Sequence, residues 1–80
     1  MQIEHTVREI IAQVGDVLPE QVTMDLELVK LGVDSLMALS IISKVEKRFK
    51  VQIPENQLRG IRTLRQIVEL LEKNKAKAIV

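Results

Sequence analysis

The stretch Leu31-Gly32-Val33-Asp34-Ser35-Leu36-Met37-Ala38-Leu39 organises the rest of the chain. Gly32 allows a sharp turn and leaves the following residues open to a visitor. Asp34 and Ser35 each carry a short side-chain oxygen that can accept from free backbone N–H groups, so either suits the N-cap of a helix. The pattern downstream carries that helix to about Lys50, with Ala38, Ile41, Ile42, Val45 and Phe49 on one buried stripe. A helix N-terminus joins unsatisfied N–H groups to the positive end of the dipole, which favours an anion at Ser35.

Upstream of this helix, residues 16–34 are not periodic. They hold Pro19 and Gly32, with apolar residues scattered at Val17, Leu18, Val22, Leu26, Leu28 and Leu31. So long a connection in a small domain is unusual and is often functional or built from short helical turns. The spaced apolar residues predict that it packs on the rest. Before it, Ile3, Val7, Ile10, Ile11 and Val14 form the stripe of a first amphipathic helix, with Gly15 as its stop.

Downstream, Val51, Gln52 and Ile53 alternate, but Pro54 follows at once and no other segment could pair with them, so an extended connector is expected. Residues 54–60 suit a short helix with Pro54 near its start and Gly60 closing it. Thr63 and Gln66 have capping-box spacing, and Leu64, Ile67, Val68 and Leu71 give the last helix its apolar face. The lysine-rich end, residues 73–80, is expected to fray. The predicted fold is all-α: residues 1–80 form a single domain, a small bundle of three main helices plus one short helix, with a long loop between the first and second helices.

Composition sets bounds. With 80 residues the core is small and surface dominates. There is no cysteine, so neither a disulfide nor a Cys-based zinc site staples it. Apolar residues make up 46% and Phe49 is the only aromatic, a balance that suits helical packing of aliphatics. Twelve Lys and Arg against eleven Asp and Glu lack the basic excess of a nucleic-acid binder. No run of eighteen apolar residues marks a membrane span, and no secretory signal is visible, so a cytoplasmic home is the default. His5, the only histidine, reads as a surface residue, and no metal site is expected. Ser35 has no evident base partner, so the chain is not read as an enzyme. Lys44, Lys47, Arg48 and Lys50 read as a solvated face.

The quoted stretch resembles the signature of the acyl and peptidyl carrier domains, in which Gly-x-Asp-Ser-Leu opens the second helix. The similarity extends from about Val7 to Leu71: a first amphipathic helix, a long loop, Asp34-Ser35-Leu36 at the next helix start, Phe49 near its end, Ile53-Pro54, and a last helix begun by Thr63. The resemblance implies that Ser35 receives a 4′-phosphopantetheine arm from coenzyme A and that the thiol ending this arm carries cargo as thioesters. It further implies that Asp34 helps the modifying synthase position its metal ion, and that Gly32 keeps the site open.

Leu36, beside the exposed site, suits a partner contact. Met37 and Leu39 are left facing outward or partly so by the buried stripe, which extends that surface towards Ser40, Ser43 and Lys47. These last three occupy positions where carriers of dissociated fatty-acid synthases hold acids read by basic partners. The resemblance is therefore strongest to carriers of polyketide or nonribosomal peptide assembly lines.

The implied function is that of an acyl carrier protein, non-catalytic, serving polyketide or fatty-acid-like biosynthesis. Its partners would be a phosphopantetheinyl transferase and acyl-processing enzymes such as an acyltransferase or ketosynthase, and a monomer is expected. Tethering would raise the local concentration of an intermediate to roughly millimolar. A peptidyl or aminoacyl carrier is the near alternative. An unmodified helical interaction domain is the distant one; there Ser35 is only a cap, and Ser35→Ala costs ~1 kcal/mol.

Overall fold

A computed structural model describes the backbone of residues 2–79 and the side-chain surroundings of residues 3–74. Helix α1 spans Gln2–Gly15, α2 Ser35–Phe49, α3 Glu55–Leu58 and α4 Leu64–Ile79, and two 3₁₀ turns, Pro19–Gln21 and Leu28–Leu31, lie between α1 and α2. No strand occurs among the described residues. No helix among them is long and apolar enough to cross a membrane. The all-helical bundle with three long helices and one short one is as the periodicity predicts.

Helix α1 packs against both α2 and α4. Its Val7 and Ile11 meet a core with Ile41 and Val45 of α2 and Leu64 and Leu71 of α4, all fully buried. Each such side chain contributes about 1.5–3 kcal/mol by leaving water. Gly15 remains helical, and the left-handed turn that ends α1 falls instead on Asp16 (φ 56°). A short polar side chain tolerates that conformation better than most. Gly15 packs beside the loop, where a Cβ would sit 3.4 Å from Val33 Cγ2, at the edge of ordinary contact.

The long loop is stitched down on two sides. Val22, Leu28 and Val33 are buried in the core. From α1, Arg8 Nε donates to the Val22 carbonyl at 2.7 Å, while its Nη2 pairs with Glu4 at 2.8 Å. Towards α4, Leu28 N–H donates to Arg62 O at 2.8 Å and Arg65 N–H to Met24 O at 3.0 Å. The Arg65 guanidinium grips Asp25 with two bonds, at 2.7 and 3.0 Å. The loop and the start of α4 thus form one unit although some forty residues separate them.

Helix α2 closes at Lys50 in the left-handed region (φ 56°). The connector then alternates as expected: Val51 and Ile53 are buried and Gln52 is exposed. Ile53 N–H donates to Glu46 Oε2 at 2.9 Å. Helix α3 is shorter than the predicted 54–60, because Arg59 is extended and Gly60 turns at φ +83°.

The capping box at the start of α4 is formed: Thr63 N–H donates to Gln66 Oε1 at 3.1 Å, and Gln66 N–H to Thr63 Oγ1 at 3.3 Å. The backbone of the end expected to fray, from residue 73, is helical as far as Ile79; Val80 lies outside the described residues. Asn74 ties down the start of this segment. It is buried, and its Nδ2 donates to Gln57 Oε1 of α3 at 2.9 Å and to Leu70 O at 2.8 Å, so α4 is anchored beyond its apolar face.

Candidate functional site

The site is built from the end of the second 3₁₀ turn. Gly32 closes that turn at φ +86°, with its N–H donating to Val29 O at 3.1 Å. A Cβ here would meet nothing within 4 Å, so the backbone conformation, not crowding, calls for glycine. Val33 N–H then donates to Leu28 O at 3.2 Å, and the Val33 side chain is buried. This pins the chain one residue before the N-cap and fixes where α2 begins.

Of the two cap candidates, Asp34 takes the role. Its backbone is extended, and its Oδ1 accepts from Met37 N–H at 2.8 Å. Ser35 is therefore the first helical residue, exposed, and its hydroxyl has no hydrogen-bond partner among the described residues. Ala38 N–H makes the first intrahelical bond, to Asp34 O at 2.9 Å. The N–H groups of Ser35 and Leu36 are left facing outward at the positive end of the helix, where an anion is favoured.

Beside Ser35 lies a cavity of about 280 Å³ between α2 and α3, lined by Leu28, Ala38, Leu39, Ile42, Leu58, Ile61 and Ile67, with no charged residue in its wall. A second, of about 460 Å³, shares Leu28, Ser35, Ala38 and Ile61 but adds Glu27, Val29, Asp34 and Arg62. The walls contributed by Leu58 and Ile61 were not foreseen. Their i, i+3 spacing around the short helix is the only trace of them in the sequence.

The residues expected to face partners are only partly brought together. Leu36 and Leu39 are 77% and 59% exposed. Ser43 and Lys47 are exposed, and Ser40 is half-buried. Met37 corrects the expectation of an outward side chain: it is half-buried and packs against the core. It sits one turn before Ile41, and its flexible thioether folds down over that stripe. Val29, at 68% exposure, joins the apolar surface near Ser35 and was missed, since nothing in the loop's pattern separated it from the buried Leu28.

No group of three or more His, Cys, Asp or Glu that could hold a metal occurs among the described residues. Asp34 alone could offer an oxygen to an ion brought by another protein, through Oδ2, since Oδ1 holds the cap. His5 is exposed and lies 3.4 Å from Glu9, a surface pair.

Residues 5–71 match the family model described as "Phosphopantetheine attachment site". The chain is 40% identical over 76 residues to an acyl carrier protein of Amoebophilus asiaticus, covering 94% of this chain and 95% of that one. An acyl carrier protein of Rhodococcus erythropolis is 35% identical over 80 residues, with 90% and 88% covered. The citrinin polyketide synthase of Monascus ruber is 34% identical over 73 residues; these cover 91% of this chain but only 3% of that protein's length.

The chain belongs to the phosphopantetheine-binding acyl carrier family. The cofactor of that family is 4′-phosphopantetheine. The residues present fit such a group: an unengaged hydroxyl, two outward N–H groups at a helix start, and an apolar cavity alongside.

Proposed function

We propose that this chain is an acyl carrier whose Ser35 hydroxyl is the attachment point of 4′-phosphopantetheine, serving a polyketide-type or related acyl-building system. The observation that carries this reading is the division of labour at the start of α2. Asp34 satisfies the third N–H of the helix, so Ser35 is released from capping and stands free in solvent. A phosphodiester on Ser35 Oγ would lie against the outward N–H groups of Ser35 and Leu36, where helix geometry favours negative charge. When attached, the group supplies a terminal thiol for thioester chemistry, which a chain without cysteine cannot supply itself.

The protein's own residues then position and shelter. Gly32 and buried Val33 hold the helix start in place, and Asp34 presents a free carboxylate oxygen to the modifying enzyme. The cavity beside Ser35 can admit an aliphatic chain. Its wall has no carboxylate that would pair with an ammonium group, so an arm folded into this cavity, and not into the adjoining one lined by Glu27 and Asp34, favours an acyl cargo over an aminoacyl one. The resemblance both to short carriers and to a segment of polyketide synthases supports the pathway class.

The test is intact mass before and after incubation with coenzyme A and a broad-specificity phosphopantetheinyl transferase, with Ser35→Ala in parallel. One added phosphopantetheine in the native chain and none in the variant is the expected result. A folded native chain that gains no mass with several transferases, and carries none beforehand, would defeat the reading. Loading the modified chain with a fatty acyl group should protect its thioester from hydrolysis more than loading with an aminoacyl group; equal lability would remove the preference for acyl cargo.

A further inference from the structure

The exposed face of α2 is divided in charge along its length. Its outward line runs Leu36, Leu39, Ser40, Ser43 and Lys47, residues that succeed one another at helical spacing. The end next to Ser35 is apolar, with Leu36 and Leu39 in solvent. The far end is basic: Lys44, Lys47, Arg48 and Lys50 are all exposed. Residues 35–50 set a single carboxylate against these four cations, Glu46, and leave a formal net charge of +3. Glu46 is engaged elsewhere, accepting from Ile53 N–H at 2.9 Å. None of the four cations pairs with a carboxylate among the described residues.

The neighbouring elements do not cancel this charge. Around Ser35, Glu27 and Asp34 are matched by Lys30 and Arg62. The opposite sign gathers on α1 and the first part of the loop, where Glu4, Glu9, Asp16, Glu20 and Asp25 share residues 2–25 with one arginine, Arg8, for a formal −4, although Asp25 is paired with Arg65 of α4. A chain of formal net charge +1 is thus strongly polarised. Lys47 and Arg48 complement the negative end of the α2 dipole, but cations three and four residues apart on one helix also repel each other, so helix stability does not require four of them.

We infer that this face docks on an acyl-processing enzyme whose surface is apolar at the mouth of its active site and acidic about 18 Å away, the rise of the twelve residues from Ser35 to Lys47. The inference rests on the carrier reading and adds the sign of the partner. Leu36 and Leu39 seat beside the mouth while the arm enters it. The small Ser40 and Ser43 let the surfaces close. The cations steer the approach and reject partners whose rim is basic. A protein surface fits better than a lipid one. A membrane-bound helix lays a continuous apolar face into the bilayer, flanked by cations, whereas the apolar face of α2 is already buried in the core and its exposed leucines and cations lie at opposite ends.

The test starts from the modified protein, whose mass confirms one arm on Ser35; failure at that stage overturns the carrier reading and this inference with it, whereas failure in the docking step below overturns this inference alone. The native chain and a K44E/K47E/R48E/K50E variant, both carrying a cross-linking pantetheine analogue and both checked for native helicity, are reacted with two forms of one ketosynthase. One form has a basic docking rim, and in the other that rim is reversed to Glu. The native chain should cross-link faster to the acidic form by about tenfold or more, the variant should reverse the order, and salt should erase both preferences. Equal rates for the native chain, or a preference for the basic rim, would overturn the proposal. So would binding to phosphatidylcholine–phosphatidylserine vesicles that the variant loses while the two cross-linking rates stay alike, which would assign the face to lipid.

Discussion

Two helices of this protein begin with the same chemistry and are used in opposite ways. At the start of α4, Thr63 and Gln66 cap each other reciprocally, and the first helical residue, Leu64, is fully buried. The next residue, Arg65, is tied to the long loop by its backbone and by its guanidinium. At the start of α2, Asp34 caps alone, with no reciprocal partner at Met37, and the next two residues, Ser35 and Leu36, stand in water. One start is spent on holding the fold. The other is held by what precedes it, Gly32 and Val33, so that its own first turn is free for something outside the protein. A helix start that exposes a leucine and an unengaged serine while a neighbouring residue supplies the cap is shaped for access.

The largest effect that would break this comparison is at Ser35. Ser35→Ala should abolish phosphopantetheinylation outright while changing stability by less than about 0.5 kcal/mol, because the cap belongs to Asp34. Mass spectrometry and a denaturant melt read the two halves. A loss near ~1 kcal/mol would return the cap to Ser35 and with it the unmodified interaction-domain reading.

Next in size is the burial contrast between the two first turns. Leu64→Ala should cost about 2–5 kcal/mol, a large share of the stability of so small a domain, while Leu36→Ala stays within about 0.5 kcal/mol. Chemical denaturation of both variants measures the difference, and similar costs would mean that Leu36 is packed after all.

The caps themselves come third. Thr63→Ala and Asp34→Ala should each cost about 1 kcal/mol, the former more because a reciprocal pair is lost. Only Asp34→Ala should also slow modification. If both variants are modified at the native rate, Asp34 serves the helix alone.

The smallest effect sharpens the tie at α4. The hydrogen bond from Arg65 holds the Asp25 carboxyl below its ordinary range. A carboxylate with a lowered folded-state pKa stabilises at neutral pH and loses that contribution as pH falls through the aspartate range. Both groups are solvent-exposed, so the effect is slight. Native minus Asp25→Asn stability should be marginally positive at neutral pH and vanish in acid; a difference that grows on acidification would show that the pair does not act this way.

Much of this was legible along the chain, for identifiable reasons. The stripe Ile41, Ile42, Val45 is buried as its period requires. The box at Thr63 and Gln66 is local chemistry across three residues, and it forms. Where the sequence misled, the missing information was non-local. Met37 looks outward on a bare helical wheel, yet it is half-buried and packs against the core. Gly15 looks like the stop of α1, yet Asp16 takes the turn, while Gly15 lies against Val33, eighteen residues away.

By itself, the sequence determined the helices, their buried faces and the place of Ser35 at a helix start, because these depend on periods and caps that act over three or four residues. Only the tertiary structure decided how the long loop is sewn to α4 and that an uncharged cavity opens beside Ser35. Those features arise from groups far apart in sequence, such as Leu28 with Arg62 and Leu58 with Ile42, whose meeting is fixed by the packing of the whole core.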